Sequence, residues 1–351
     1  MHVHRNIDRL PSFRRAVITI GTFDGVHTGH QLLIRQLKEE AARIDGETVI
    51  ITFHPHPRKI IRGNPGALQL INTLDEKIGL LAEQGVDHLV VVDFTEPFSQ
   101  LSAEQYVKDF LIGRFHPHTI IIGYDHQFGK GRQGNYLLLE KMALSEGFEL
   151  QEIPAHLSHS LSVSSTRIRE AILNGDMDLA NELLGYPWFF SGKVIEGDKL
   201  GRTLGYPTAN LQIADPEKLT PCDGVYAVEA EIWDGDAGGS GAESAGSGDV
   251  GAAGSGDVAA AGSGGGSGDA GARLKGMMNI GFRPTVGGVR RLIEVHLFDF
   301  HTTIYGRELQ IIPRQYLRGE QKFAGLDALK EQLARDEAQA RALLGAEPQA
   351  R

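Results

Sequence analysis

Short apolar runs alternate with stretches of helical spacing through the first half of the chain. The runs at 16–20, 48–53, 88–93 and 119–123 have the length of buried strands, and helical patterns lie between them around 32–41, 75–84 and 103–112. Strands that are nearly all apolar and that alternate with helices predict a parallel sheet covered on both faces. We therefore predict an α/β domain over residues 1–185.

The pattern changes near Phe189, where apolar runs become short and are separated by glycine instead of helices. Runs of this kind lie at 190–197, 208–211, 224–228, 276–280 and 292–297. This spacing predicts a small antiparallel barrel over residues 186–351. A closing helix is predicted at 326–344, with Leu326, Leu329 and Leu333 on its apolar face.

One segment, 234–272, consists almost wholly of Gly, Ser, Ala and Asp. This composition buries too little apolar area to fold, so the segment is predicted to be a disordered tether. It stands between two predicted strands, 226–233 and 273–280, in the place of a hairpin loop. Because loop-closure cost grows only logarithmically with length, we expect the barrel to tolerate it.

Composition narrows the class of protein. The chain has 351 residues, 41% of them hydrophobic and 23% charged, and a net charge of −10. This charge argues against a nucleic-acid partner, although local cations with Mg²⁺ remain compatible with phosphorylated small molecules. The single cysteine, Cys222, and the lack of a signal peptide or a long apolar segment lead us to expect a cytoplasmic protein without a membrane partner.

The first chemical motif is GTFDGVHTGH at 21–30, which follows the first predicted strand and opens the first helix. A glycine-rich strand-to-helix turn offers free backbone N–H groups and the positive end of a helix dipole to an anion. His27 and His30 can then stabilise the charge that develops when a phosphoryl or nucleotidyl group is transferred. The alternative is that the two histidines are helix caps, core residues or a metal pair.

Further polar groups follow the later strands of the first half. They are the His-Pro-His-Pro loop at 54–57 and the turn GYDHQFG at 123–129, and a further cluster, SSTRIR at 164–169, precedes a helical stretch. Because ligands bind beyond the carboxyl ends of parallel strands, we expect these groups to share one site. Ser164 is either a helix N-cap or a site residue. Arg167 and Arg169 are candidates for a phosphate clamp, with Arg169 the better candidate for a triphosphate contact.

Two motifs of the second half carry oxygen ligands. The turn at 201–210 places the Thr208 hydroxyl and the Asn210 amide two residues apart, which suits Mg²⁺ with phosphates as co-ligands, or else forms an Asx or ST turn without a ligand. Glu294 interrupts an otherwise apolar strand. It is either an outward-facing barrel residue or a base held in a site.

The motifs of the first half, taken in order, resemble the HxGH nucleotidylyltransferases with their Rossmann-like fold. GTFDGVHTGH, TFHPHP and GYDHQFG narrow the resemblance to the adenylyltransferase half of bacterial bifunctional riboflavin kinase/FMN adenylyltransferases, over about residues 10–185. The resemblance implies that FMN attacks ATP to give FAD and pyrophosphate. It assigns ATP contacts to Gly21, Thr22, Phe23, Asp24, His27, His30, Asp125, Ser165, Thr166 and Arg169, and a flavin contact to Phe128. Asp125 departs from the Asn found in some members.

The second half resembles the flavokinase domain of the same family through GKVIEGDKLGRTLGYPTANL, NIGFRPTVGG and IEVHLFDF. This resemblance implies that Glu294 deprotonates the 5′-hydroxyl of riboflavin, which attacks the γ-phosphorus of ATP. It also implies that Thr208 and Asn210 hold Mg²⁺, that ATP contacts Gly192, Lys193, Gly197, Gly205 and Pro207, and that Arg318 closes over flavin. Relatives usually carry Asp at Gly319, so the closed state of this loop is expected to be less well held.

The resulting hypothesis is one chain that converts riboflavin to FMN and FMN to FAD, with ATP as co-substrate. One alternative is an enzyme with a single activity, in which the changed loop at Gly319 marks an inactive kinase. A second alternative is a flavin-binding regulator that has lost turnover. The intact His27, His30, Thr208 and Glu294 argue against that second alternative.

Overall fold

The computed structural model describes residues 1–62, 68–123, 126–153, 163–197, 200–233, 273–285 and 288–345. The predicted tether at 234–272 lies outside these residues. Tertiary contacts divide the chain into two compact units. The first contains residues 1–190, 213–223 and 313–316, and the second contains 191–212, 224–312 and 317–351.

The first unit is built on a six-stranded parallel sheet, as predicted. Its strands are β1 (His2–His4), β2 (Val17–Ile20), β3 (Thr48–His54), β4 (His88–Asp93), β5 (Thr119–Gly123) and β6 (Glu149–Ile153), in the order β1-β4-β3-β2-β5-β6. The four strands predicted from apolar runs are confirmed and lie at the centre of the sheet. The two edge strands, β1 and β6, were not predicted.

Both faces of this sheet are covered, which explains why its central strands are mostly apolar and almost wholly buried. Side chains alternate between the faces, so Ile18 and Ile20 pack into one core and Val17 into the other. The first core includes Phe110 and Leu139 from covering helices, and the second includes Leu37.

The helices of the first unit connect the strands and cover the sheet. They are α1 (Thr28–Ile44), α2 (Pro57–Arg62), α3 (Leu74–Glu83), α4 (Glu96–Ser99), α5 (Ala103–Gln105), α6 (Gly113–Phe115), α7 (Tyr136–Glu146), α8 (Ser165–Leu173) and α9 (Met177–Leu184). Short 3₁₀ turns span Ile7–Arg9 and Lys130–Arg132. The helix predicted at 103–112 is present, but Tyr106–Ile112 between α5 and α6 is π-helical.

The second unit contains the predicted antiparallel barrel. Its strands are β7 (Phe190–Ile195), β8 (Ala209–Gln212), β9 (Gly224–Trp233), β10 (Leu274–Thr285), β11 (Gly288–Leu297) and β12 (Glu308–Arg318), closed in the order β10-β11-β8-β7-β12-β9. Two helices accompany them, α10 (Leu200–Thr203) and α11 (Leu326–Gly345). Strands β9 and β10 are antiparallel neighbours, with Ala230 opposite Leu274, so 234–272 joins two paired strands as expected.

The C-terminal helix is confirmed and packs on the barrel, but Leu326, which was predicted on its apolar face, is 60% exposed. Ala340 and Leu344 of α11 form a buried cluster with Ala227, Met277 and Phe298. Among the described residues, no helix is long and apolar enough to cross a membrane.

Candidate active sites

The first candidate site is built on the turn between β2 and α1. Helix α1 begins at Thr28, and His27 is its N-cap: the His30 backbone N–H donates to His27 Nδ1 at 3.3 Å. The two imidazoles stack with ring centroids 3.7 Å apart. The sequence therefore brings the two histidines together at the helix start, and His27 is also a cap.

Both histidines are neutral at physiological pH. Burial lowers the pKa of His27 to about 4, and burial together with the nearby positive charges lowers the pKa of His30 well below its ordinary value. Since Nδ1 of neutral His27 accepts a hydrogen bond, its proton lies on Nε2, which is left as a donor. In His30, Nδ1 is buried and has no hydrogen-bond partner among the described residues.

Asp24, Ser165 and Arg169 are far apart in sequence, and the structure brings them into direct contact. The buried Asp24 carboxylate accepts from the Ile71 backbone N–H at 3.0 Å and forms an ion pair with Arg169. Ser165 Oγ donates to the Asp24 carbonyl at 2.9 Å, and Arg169 Nε donates to the Gln69 carbonyl at 2.8 Å. This network fixes α8 to the motif turn.

Several cations surround the His-Pro-His-Pro loop at the end of β3. The pKa of His56 falls to about 3, first because of burial and then because of the positive charges of Lys77, Arg169, Arg58 and Lys59. Lys77, which sequence reasoning missed, donates from Nζ to the Thr22 carbonyl at 2.8 Å. Such a concentration of positive charge suits a polyphosphate.

The other candidate residues of this unit differ in burial and in their contacts. Phe128 is buried in the core, where its ring stacks on Tyr106 with centroids 5.2 Å apart. Ser164 is the N-cap of α8 and accepts from the Arg167 backbone N–H at 3.3 Å, while Thr166 is exposed. Asp125 lies outside the described residues. Gly21 approaches the Phe23 ring closely, so the turn packs tightly on itself.

The second candidate site is a cavity of about 300 Å³ in the second unit. Glu294 and Arg318 line it, in mostly apolar company that includes Val225, Met277, Met278, Phe282, Phe323, Leu329 and Leu333. Glu294 on β11 lies opposite Asn210 on β8 in the strand register. The half-buried Glu294 carboxylate therefore lies at the edge of a mostly apolar cavity. Such a lining suits a flat aromatic ligand.

A neighbouring cavity of about 360 Å³ has a more polar lining, to which Arg202, Pro207, His301, Thr302, Thr303 and Tyr305 contribute. Thr208 lines both cavities and therefore marks their junction. Glu294 lines only the first cavity, and Asn210, which faces it in the strand register, is the neighbour in sequence of Ala209 in the second cavity. This arrangement suits a transfer between two bound molecules.

Residues around Thr208 hold the junction in shape. A Cβ added to Gly197 would lie 2.2 Å from Asn210 Nδ2, so the loop after β7 packs directly on the Asn210 amide. His296 donates from Nδ1 to the Pro207 carbonyl at 2.8 Å. Among the other sequence candidates, Gly192 is buried in β7, Lys193 is exposed, and Gly205 has a φ of +88° in the turn before Pro207.

The chain resembles known proteins over both halves. Residues 10–167 match the FAD synthetase family, and residues 184–344 match the riboflavin kinase family. The bifunctional riboflavin kinase/FMN adenylyltransferase of Escherichia coli K12 is 36% identical over 340 residues, which cover 97% of this chain and 96% of that protein. The chain belongs to this bifunctional family.

A second member of the family and one solved structure are also similar to this chain. The Listeria monocytogenes member is 35% identical over 327 residues, covering 93% of this chain and 91% of that protein. A Streptococcus pneumoniae crystal structure titled as a macrolide-efflux protein superposes with a TM-score of 0.76 at 28% identity. It covers 97% of this chain and 98% of that one, so the same two-part fold recurs along its whole length.

In this family member, the guanidinium of Arg318 is already bound to a carboxylate at the wall of the first cavity. The partner lies in the same cavity wall: Arg318 forms a paired ion contact with the buried Asp336 of α11, with Nη2 2.6 Å from Oδ2 and Nε 3.0 Å from Oδ1. Gln332 Nε2 also donates to Asp336 at 2.8 Å. Asp336, which sequence reasoning missed, therefore fixes the position of Arg318 at the cavity wall.

Proposed function

We propose that the second unit phosphorylates riboflavin and that the first unit adenylylates the product. In the first reaction Glu294 takes the proton from the 5′-hydroxyl of riboflavin, and that oxygen attacks the γ-phosphorus of ATP. A P–O bond forms, the bond to the β-phosphate oxygen breaks, and ADP leaves with FMN as product. The observation that carries this proposal is that Glu294 lines one cavity, while Thr208 lines both that cavity and its neighbour.

The larger apolar wall supports placing the flavin ring in the cavity of Glu294 and Arg318, and ATP in the neighbouring cavity. The loop of Gly192, Lys193 and Gly197 and the turn of Gly205 and Pro207 would then enclose the nucleotide. In this arrangement the reacting hydroxyl lies between Glu294 and the terminal phosphate. A positioned general base of this kind contributes about 10²- to 10⁴-fold to the rate.

Mg²⁺ fits the residues at this junction. Thr208 Oγ1 and Asn210 Oδ1 are neutral oxygen donors, which suit a cation whose other ligands are phosphate oxygens and water. Phosphate oxygens of ATP and water would supply the other ligands. When bound, Mg²⁺ neutralises charge on the phosphates during transfer.

In the second reaction an FMN phosphate oxygen attacks the α-phosphorus of ATP. A P–O bond forms, the α–β bridge breaks, and pyrophosphate leaves with FAD as product. We assign stabilisation of the phosphates to His27 and His30 as neutral donors, and the nucleotide side to the network of Asp24, Ser165 and Arg169. Gly21, Thr22, Phe23 and Thr166 are assigned to the same nucleotide site. The contacts expected of Asp125 and Phe128 stay predictions, since Asp125 lies outside the described residues and the Phe128 ring is buried in the core.

Product analysis tests both assignments in one experiment. The purified chain is incubated with riboflavin, ATP and Mg²⁺, and flavins are separated by chromatography, with FMN and then FAD expected. Glu294→Gln should abolish FMN formation and preserve conversion of supplied FMN to FAD. His30→Ala should do the reverse, by about 2–4 kcal/mol of lost transition-state stabilisation.

The alternatives give different patterns. Formation of FMN alone, or FAD from supplied FMN alone, would show an enzyme with a single activity. Tight flavin binding without release of ADP or pyrophosphate would show a binding protein. Use of ATP as co-substrate also supports the expected cytoplasmic location, which cell fractionation would test.

A further inference from the structure

Lys77 is a buried cation whose hydrogen bonds are incomplete. It lies on α3 and is 7% exposed. Its Nζ donates one hydrogen bond, to the Thr22 carbonyl at 2.8 Å. Within the described part of the chain the other two N–H groups of this ammonium have no acceptor. Because burying an unpaired charge is costly, such a group needs a reason to be retained.

The position of Lys77 is fixed by its helix. Thr73 and Glu76 form a capping box at the start of α3, with Glu76 N–H to Thr73 Oγ1 at 3.2 Å and Thr73 N–H to Glu76 Oε2 at 2.9 Å. Its partner Thr22 belongs to the motif turn that carries both histidines. The ammonium therefore lies at a fixed place beside the carboxyl end of β2.

The groups around Lys77 are unfavourable for a cation that has only a structural role. Its positive charge contributes to the lowered pKa values of His30, His54 and His56. Asp24 is the carboxylate that favours the charged form of Lys77, and it is also bound to Arg169 and to the Ile71 N–H. Lys77 thus has unfilled donor capacity and acts electrostatically on His30, whose buried Nδ1 also has no partner among the described residues.

We propose that Lys77 is a further binding residue for adenylyl transfer, and that its two unfilled N–H groups donate to phosphate oxygens of ATP. The inference rests on the proposed function of the first unit. Two charge-assisted hydrogen bonds would satisfy the buried ammonium and would strengthen as charge moves onto the departing pyrophosphate. The phosphates of ATP would then provide the negative charge that balances the buried Lys77 ammonium.

Protonation supports this assignment. Burial lowers the pKa of Lys77 to about 8 in the free protein, although Asp24 opposes the fall. Rising pH therefore removes the charge from the empty site in a range where an ordinary lysine stays protonated. We expect kcat/KM for FAD formation to fall above about pH 8, since this parameter follows the ionisation of the free enzyme.

The test compares Lys77→Met and Lys77→Arg with the wild type in the full-length chain, measuring FMN-to-FAD conversion under varied ATP. Lys77→Met should lose about 10²- to 10³-fold in kcat/KM, as expected for removal of one preorganised donor group. Lys77→Arg keeps the charge at high pH, so it should retain more activity and lose the alkaline fall. Lys141→Met, at an exposed position on α7, is the matched control and should leave FMN-to-FAD conversion unchanged.

The outcomes are distinct. Riboflavin phosphorylation should be unchanged in every variant, which reports that the second unit remains folded. If Lys77→Met keeps kcat/KM within threefold and keeps the alkaline fall, Lys77 does not bind the phosphates. Equal loss in the Met and Arg variants with no change of pH profile would also overturn the proposal, because it indicates a packing role. If the wild type forms no FAD from FMN, the proposed adenylyl transfer itself fails.

Discussion

Replacing Lys77 by methionine is expected to stabilise the first unit while it disables adenylyl transfer. Burial lowers the pKa of this ammonium from the ordinary 10.5 to about 8. At about 1.4 kcal/mol per pH unit, keeping the charge in the folded state costs about 3 kcal/mol near neutral pH. Loss of the hydrogen bond to Thr22 offsets about 1 kcal/mol. The net gain for the variant is therefore about 2 kcal/mol.

The pH dependence of this gain follows from the direction of the pKa change. Between about pH 8 and 10.5 the folded state binds fewer protons at Lys77 than the unfolded state does. Wild-type stability from this group therefore rises with pH through that window and is smallest below pH 8. The methionine variant lacks this rise, so its advantage should be largest near pH 7 and should shrink towards pH 10.

Pulse hydrogen exchange read by mass spectrometry, along a urea titration of the full-length chain, measures each unit separately. Peptides from β2 and α1 report the first unit, and peptides from β9 and β10 report the second. Lys141→Met is again the control and should change stability by less than about 0.5 kcal/mol. A Lys77→Met variant that is less stable than the wild type at pH 7 would refute the reasoning, because the ammonium would then be a structural group.

Two other substitutions have definite expected results. Lys218 is fully buried and binds the Glu76 carboxylate, the Ile71 carbonyl at 2.8 Å and the Phe189 carbonyl at 2.9 Å, so Lys218→Met should destabilise the first unit by about 3–5 kcal/mol in the same exchange assay. Adding Glu76→Gln to Lys218→Met should recover part of the lost stability. If the two substitutions instead lowered the stability additively, the pairing of Lys218 with Glu76 would be contradicted. Gly197→Ala should displace the Asn210 amide and lower FMN formation at least about tenfold (1.4 kcal/mol) with a raised Mg²⁺ requirement. Gly345→Ala, with open space around it, is the control, and a silent Gly197→Ala would contradict the close packing.

Much of the fold could be predicted because buried elements carry strong periodic patterns. Central strands such as β3 and β4 are buried on both faces and read as continuous apolar runs. The edge strands lack this signal: β1 is three residues long and mostly exposed, and β6 reads Glu-Leu-Gln-Glu-Ile. The π-helical stretch Tyr106–Ile112 was missed because its apolar spacing over two turns is hard to distinguish from that of an α-helix.

The candidate sites were predictable only where chemistry and local pattern coincide. His27 and His30 lie within one motif, and Glu294 stands out as a carboxylate in an apolar strand. Lys77 gave no such signal, because a lysine near the start of a helix, among other charged residues, is normally interpreted as a surface residue. The pairing of Asp24 with Arg169 spans 145 residues and exists only in three dimensions. The predicted phosphate role of Arg169 remains a prediction, and its observed contacts are with Asp24 and Gln69.

The first unit also depends on a segment that no motif predicted. Residues 213–223 follow β8 in sequence but group with the first unit, where Lys218 forms a bridge with Leu70 and binds Glu76. Glu76 belongs to the capping box that starts α3, the helix of Lys77. A chain ending at residue 185 would lack Lys218 and leave Glu76 buried without its counter-charge, at a cost of several kcal/mol. The compact first unit thus includes residues that follow the start of the barrel in sequence, and we expect Lys218 to contribute to the stability of this unit.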